Sequence, residues 1–175
     1  MATLFAVVTL SRVPLVLLSP VQAMAVPLAV EAIHGGRVAA LGSLQRRGAL
    51  LFTAAAALLG AGGFLLGPWA VQIFAGPSYQ ADPWLVALAL GASAFMAGAL
   101  LQAAVFIALE RHIHVVTTWA SAVAATVLVL VGAPGGREQV GLAAFVTASL
   151  VAYLVSGVLL RVALRRRSQT AAPRP

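Results

Sequence analysis

Neither cysteine nor lysine occurs among the 175 residues, and only four side chains are acidic. Without cysteine there are no disulfides, no thiol chemistry and no cysteine-ligated metals. The acids Glu31, Asp82, Glu110 and Glu138 are scattered along the chain and all fall at the borders of apolar runs. A membrane glycosyltransferase or phosphatase needs clustered carboxylates, or an acid-base and nucleophile set near one interface. No such cluster is visible, so no catalytic residue is assigned and no enzymatic activity is expected. No glycine-rich phosphate loop is present to drive a nucleotide motor, and no cofactor is implied. Glu110, His112 and His114 form a Glu-x-His-x-His array of the kind that can bind a divalent cation. No further ligand accompanies it, so a polar turn is expected there and no metal site is assigned.

What the chain does have is apolar length. Residues 48–81, 83–109, 115–136 and 139–160 carry no charge, and the arginines lie almost entirely between and after these runs. A helix rises 1.5 Å per residue, so about 20 apolar residues cross a hydrocarbon core of roughly 30 Å. Hydrophobic residues make up 62% of the chain and charged ones 9%, with a mean hydropathy of +1.02. A soluble fold of this size has no interior large enough for four such segments. The sequence therefore predicts an all-α, polytopic transmembrane bundle whose first partner is the lipid bilayer. The net charge of +7 would suggest nucleic acid in a soluble protein. Arginines that flank apolar spans instead set topology against an anionic lipid surface, and no nucleic-acid partner is expected. The exclusive use of arginine, with abundant alanine, suggests a GC-rich bacterial genome and hence a multi-pass protein of the bacterial inner membrane.

A fifth span is expected at the N-terminus. Residues 1–11 and 13–30 are uncharged, Arg12 interrupts them, and Pro14, Pro20 and Pro27 lie within. A cleaved signal peptide fits poorly, because a basic start is missing and the apolar run is long and proline-rich. Proline removes a backbone donor and kinks a helix, which membrane helices tolerate where neighbours or a cavity satisfy the freed carbonyl. One kinked helix over about 4–30 is expected, followed by spans at about 49–74, 84–109, 115–133 and 140–163. These form a single bundle over 1–164, and a disordered basic tail over 165–175 completes the chain.

The arginines orient this arrangement. Arg37, Arg46 and Arg47 follow the first span, Arg111 with His112 and His114 follows the third, and Arg161, Arg165, Arg166, Arg167 and Arg174 close the chain. The alternate loops, 76–82 and 133–138, hold only Arg137. Positive-inside logic puts the N-terminus outside and the C-terminus in the cytoplasm, as an odd number of spans requires. Within the connector 31–47, Val38, Leu41 and Leu44 recur at intervals of three among arginines, which predicts a short helix lying on the membrane surface rather than a plain loop. Gly63 and Gly67 are spaced as GxxxG, and Ala94 and Gly98 repeat the small-xxx-small spacing that lets helices approach in lipid.

Arg12 is the one candidate binding residue. With a helix starting near residue 4, its guanidinium lies about 12 Å along the axis from the outer end. A charge at depth costs at least a few kcal/mol unless it snorkels or faces an aqueous cavity. There it would serve as a cavity cation for an anionic headgroup or diphosphate. With a span starting near Val13 instead, Arg12 sits at the interface.

Several segments together resemble a known family. The first span reads Arg12-Val13-Pro14-Leu15, then Ser19-Pro20-Val21, then Ala25-Val26-Pro27-Leu28, and leads into a basic loop. The second ends Gly67-Pro68-Trp69, then Ile73-Phe74-Ala75-Gly76-Pro77-Ser78-Tyr79, with Ala75 where an aromatic is usual. The third opens with Leu85 through Leu90 and is followed by Glu110-Arg111-His112. Over roughly residues 4–160 this order resembles the C-terminal half of the polysaccharide exporters in the multidrug/oligosaccharidyl-lipid/polysaccharide flippase superfamily. The resemblance implies two pseudo-symmetric helical bundles around a cavity, moving lipid-linked sugars across the inner membrane by alternating access. It also implies a cationic cavity, for which Arg12 is the candidate, and a lipid-linked sugar as substrate. No acid lies deep in a span, so no coupling residue is assigned.

Members of that family have roughly a dozen spans or more in two halves. The resemblance therefore implies a C-terminal portion, with a missing N-terminal half or another membrane subunit as partner, and with Met1 internal to a longer frame or the gene truncated. A drug exporter of the same superfamily, coupled to protons or sodium, and a non-transporting scaffold or accessory subunit are the alternatives. Topology is testable directly. Reporter fusions after Gly76 and after Arg167 are expected to report opposite sides of the membrane, and matching sides would eliminate the five-span arrangement.

Overall fold

The computed structural model describes residues 7, 9, 11–35, 38–76 and 80–170. Among them are five helices and no strand: α1 (Val13–His34), α2 (Val38–Ala75), α3 (Pro83–Ala108), α4 (His112–Gly132) and α5 (Arg137–Thr170). The stretches Leu41–Ala75, Pro83–Ala108, His112–Gly132 and Arg137–Arg167 are each long and apolar enough to cross a membrane. The fold is the expected all-α bundle.

Local signals set the helix borders. Asp82, in extended conformation, accepts a hydrogen bond on its carboxylate from the Trp84 amide at 2.9 Å, and Pro83 occupies the first turn of α3. This satisfies one of the free donors of the N-terminus, while proline contributes a pre-set φ. α2 ends at Gly76, whose φ of +107° favours glycine and whose amide reaches back to the Gln72 carbonyl. α3 ends with Glu110 at φ +57°. The Glu110 amide bonds to the Ile107 carbonyl and the Arg111 amide to the Phe106 carbonyl, the paired pattern that closes a helix through a left-handed residue.

Of the span expected over about 4–30, the regular helix is Val13–His34, and Arg12 forms a turn in αR conformation between the helical residue Ser11 and Val13. Pro14 sits in the first turn, where its lack of an N–H is tolerated, while Pro20 and Pro27 remain inside the helix. Residues 4–6, 8 and 10 lie outside the described residues.

Two further expectations are corrected. The connector 31–47 does not form a separate surface helix, because α2 is continuous from Val38 through Gly48 to Ala75. A lone glycine costs a helix about 1 kcal/mol, too little to break one whose early turns are also held by tertiary contacts. Leu41 is buried beside Leu160 and Leu164, and the Gln45 side chain donates to the Gly157 carbonyl at 2.7 Å. At 38 residues α2 is about 57 Å long, so part of it projects beyond a hydrocarbon core. Nor does disorder begin at 165: α5 continues through Thr170, with Leu164 buried against α2 and carrying the helix outward. Arg37, Pro77, Ser78, Tyr79 and Arg174 lie outside the described residues.

α3 is the central helix. It packs most extensively on α2, then on α5 and α1, and α5 packs in turn on α4. Half of its apolar stretch is buried, against 11% for α2 and for α4. Most of its buried residues are small, among them Ala89, Ala92, Ala97, Ala99 and Ala104, with Val86 and Phe106 the large exceptions, whereas Trp84, Leu88 and Ile107 point out. Leu51, Leu58 and Leu65 form a stripe at seven-residue spacing on α2 and are 68%, 74% and 75% exposed. α4 likewise exposes Val123, Leu128 and Val131. Small inside and large apolar outside suits lipid as the surrounding solvent.

Three apolar layers stack along the bundle. At one end Val7 packs with Val71, Val86 and Leu142; in the middle Ala99, Ala122, Ala152 and Tyr153 meet; at the other end Leu41, Phe106, Leu109 and Leu160 close the core. Near the first end Trp69 and Trp84 are exposed, the latter edge-on to Phe64 at 4.9 Å, as suits a membrane–water boundary.

The expected close approach of helices is present between α2 and α3. A Cβ on Gly63 would lie 3.0 Å from the Ala87 Cα and 3.1 Å from the Val86 carbonyl oxygen, and one on Gly67 would meet the Val86 Cβ at 2.7 Å. Gly91 approaches the Ala56 carbonyl oxygen in the same way. Gly98 serves a different contact, since a Cβ there would lie 2.6 Å from Tyr153 Cε2 of α5. Gly67→Ala should destabilise the bundle by about 1–3 kcal/mol, because valine has little rotamer freedom with which to yield. Thermal unfolding in detergent measures this loss, and adding Val86→Ala is expected to restore most of it; no recovery would refute the contact.

Candidate functional site

Arg12 lies at the break that begins α1. Its amide bonds to the Thr9 carbonyl at 3.1 Å, its carbonyl accepts from the Val16 amide at 3.0 Å, and its side chain is exposed. The chain on both sides is packed: Val7 is buried in the cluster with Val71, Val86 and Leu142, while Ala32 and Ile33 pack onto Phe106 and Leu109 at the other end. Val7 is about 8 Å before Arg12 along a helix and Ala32 about 30 Å beyond it. The guanidinium therefore stands about one hydrocarbon thickness from the arginine-rich end, the interfacial placement expected of a span that starts near Val13. On the same helix, Gln22 Nε2 is buried and has no hydrogen-bond partner among the described residues.

Glu110, His112 and His114 straddle the turn between α3 and α4. Glu110 and His112 are exposed, and the His114 ring lies edge-on to Phe106 at 5.4 Å, so His114 takes part in packing. No group of three histidine, aspartate or glutamate side chains converges among the described residues.

Two arrangements were not expected from the sequence. The first is a polar seam joining α2, α3 and α5. Ser156, fully buried, donates to Gln102 Oε1 at 2.5 Å and also approaches the Ala152 and Tyr153 carbonyls. The Tyr153 hydroxyl reaches toward the Ala49 carbonyl at 3.4 Å, and Gln45 bonds to the Gly157 carbonyl. In lipid a buried polar group needs a protein partner, and here the helices supply one another's. Elsewhere hydroxyls bond within their own helix: Thr118 to the His114 carbonyl, Thr126 to that of Ala122 and Ser149 to that of Phe145. Gln102 amid an apolar run was the available signal for the seam, but its partner is 54 residues away.

The second is a groove of about 360 Å³ at the arginine-rich end, lined by Gly42, Gln45 and Arg46 of α2 and Arg161, Leu164 and Arg165 of α5. Arg161 and Arg165 are one turn apart on one face, a spacing legible beforehand. Their convergence with Arg46 depends on α2 continuing upstream of Gly48.

All this defines a class: a membrane-embedded helical bundle with polar groups at its helix junctions and cations at its ends. Compared with family models, with characterised proteins and with solved structures, the chain finds no match. The seam yields a specific expectation. A double-mutant cycle of Gln102→Leu and Ser156→Ala, followed by thermal unfolding in detergent, should show coupling on the order of 0.6 kcal/mol. Strict additivity would mean that the side-chain bond contributes nothing.

Proposed function

We propose that this chain is the C-terminal portion of a polysaccharide or lipid-linked oligosaccharide flippase, working by alternating access in a bacterial inner membrane. The resemblance of the Arg12–Leu28 and Gly67–Gly76 segments to that family motivates the reading. The observation that carries it is the exposed Arg12 at a helix break, with packed chain on either side of it. An exposed guanidinium at that level is stable against water or an anion. Facing an aqueous path, it would pair with the diphosphate that joins sugar to lipid, through the bidentate geometry arginine offers such groups.

The packing of α1 is consistent with that role. It rests chiefly on α3, touches α2 only slightly, and carries Pro20 and Pro27 within its length. Proline-interrupted helices have weakened internal hydrogen bonding and can bend or tilt against a fixed neighbour. α2, α3 and α5 are tied together by the glycine contacts and the polar seam, whereas α1 packs chiefly on α3 alone. A second bundle would close the pathway, as paired bundles do in transporters.

Deleting the gene is expected to abolish surface polysaccharide and to accumulate the lipid-linked precursor; sensitivity to drugs with normal polysaccharide would indicate an exporter of small molecules instead. Re-expression with Arg12→Ala should restore less than about a tenth of the polysaccharide, the loss of one ion-paired hydrogen bond worth roughly 1.5–3 kcal/mol, and Arg12→Lys more. In this cysteine-free chain, Arg12→Cys should react with a membrane-impermeant thiol reagent. Failure of that labelling, with full complementation by Arg12→Ala, would rule out the assigned role.

A further inference from the structure

The groove between the start of α2 and the end of α5 answers no need of the reading above. Its lining combines three guanidinium groups, Arg46, Arg161 and Arg165, with the amide of Gln45, the apolar wall of Leu164 and the bare backbone of Gly42. None of these lining residues is acidic. Guanidinium groups from two helices thus converge on one cavity. The walls are also fixed: Gln45 is tied to the Gly157 carbonyl on α5, and Leu164 is buried with Leu41 and Phe106 in the apolar layer below. The cations are thus presented from two helices that are locked in register.

We propose that this groove is a binding site for the phosphate group of an anionic membrane lipid. The shared chemistry is a phosphate held by a fork of arginines. The surface beside it favours a lipid over a free anion. On α5, Leu154, Val158, Arg161 and Arg165 fall on one face at spacings of four, three and four residues, and Leu154 and Val158 are 61% and 59% exposed. On α2, Leu50 lies one turn from Arg46 and is also exposed. Going from the bundle centre to its end, the surface passes from apolar side chains to arginines over about 16 Å of helix. That order matches an acyl chain leading to a headgroup at the leaflet surface. The groove lies at the arginine-rich end, which charge bias assigns to the cytoplasmic leaflet. The site does not depend on the flippase reading and would persist if that reading failed.

The test uses the full chain in neutral detergent, with lipid-dependent thermal stabilisation as the readout. Phosphatidylglycerol in mixed micelles is expected to stabilise it in a saturable manner, and phosphatidylcholine is not. Arg46→Gln and Arg161→Gln should each raise the half-saturating phosphatidylglycerol fraction at least about tenfold. Arg47→Gln and Arg166→Gln remove the same charge outside the groove and should change it less than about twofold. Gly42→Leu removes no charge and puts an apolar side chain into the groove, at a position where a Cβ meets nothing within 4 Å. This variant should weaken the lipid response while leaving lipid-free stability intact, which separates a lost site from a misfolded chain. Equal weakening by all four arginine variants, with no effect of Gly42→Leu, would reduce the groove to diffuse surface charge and overturn the proposal. Equal stabilisation by inorganic phosphate alone would overturn its assignment to lipid.

Discussion

The bundle depends on helices that approach one another closely enough for backbone to touch backbone. Lipid gives no hydrophobic drive for helix association, so cohesion comes from dispersion at short range and from polar groups with no other partner. Gly63 against Ala87 and Gly91 against the Ala56 carbonyl are places where this happens, while Gly98 admits the Tyr153 ring. Because α3 presents alanine over so much of its surface, α1, α2 and α5 can all reach it. Many large side chains, Leu51, Leu58 and Leu65 among them, are directed outward. Leu58 on the outside and Ala89 on the inside are two sides of the same constraint.

Polar groups reinforce that geometry. Single hydroxyls are satisfied within their own helices and cost the bundle little. Gln102 cannot be satisfied in that way, and its bond to Ser156 connects α3 to α5 in the interior. Gln45 makes the corresponding link from α2 to α5 near the arginine-rich end. The consequence is a three-helix block with α4 packed on α5 and α1 on α3. Such a block is a suitable fixed element for a proline-interrupted α1 to move against, and also a rigid frame for the cations of the groove.

The charges divide into two populations with different surroundings. Arg12 is exposed at the start of α1. Arg46, Arg161 and Arg165 instead converge at the far end around a shared cavity. The two sets lie at levels separated by most of a hydrocarbon core. Topological bias alone accounts for arginines being at an end; it does not account for their meeting across two helices.

Element type and approximate position were legible from the uncharged runs, because a bilayer demands unbroken internal hydrogen bonding over about 20 residues. The spans expected at 84–109 and 115–133 differ from α3 and α4 by a few residues, and the Gly63–Gly67 spacing identified a true contact. Reading failed where local signals compete. The three-residue spacing of Val38, Leu41 and Leu44 among arginines suggested a separate surface helix within 31–47, but Leu41 and Gln45 have partners on α5 that carry the helix through. The charged run after Leu164 suggested disorder, yet the buried Leu164 extends α5 to Thr170. Apolar character, helix content and the candidacy of Arg12 were thus readable in advance, being properties of residues near one another in the chain. That α3 is central, that Gln102 meets Ser156 and that Arg46 joins Arg161 emerged only from the packing of the helices. Those are contacts between positions 54 to more than 100 residues apart, and no local periodicity encodes which distant surface a helix face will meet.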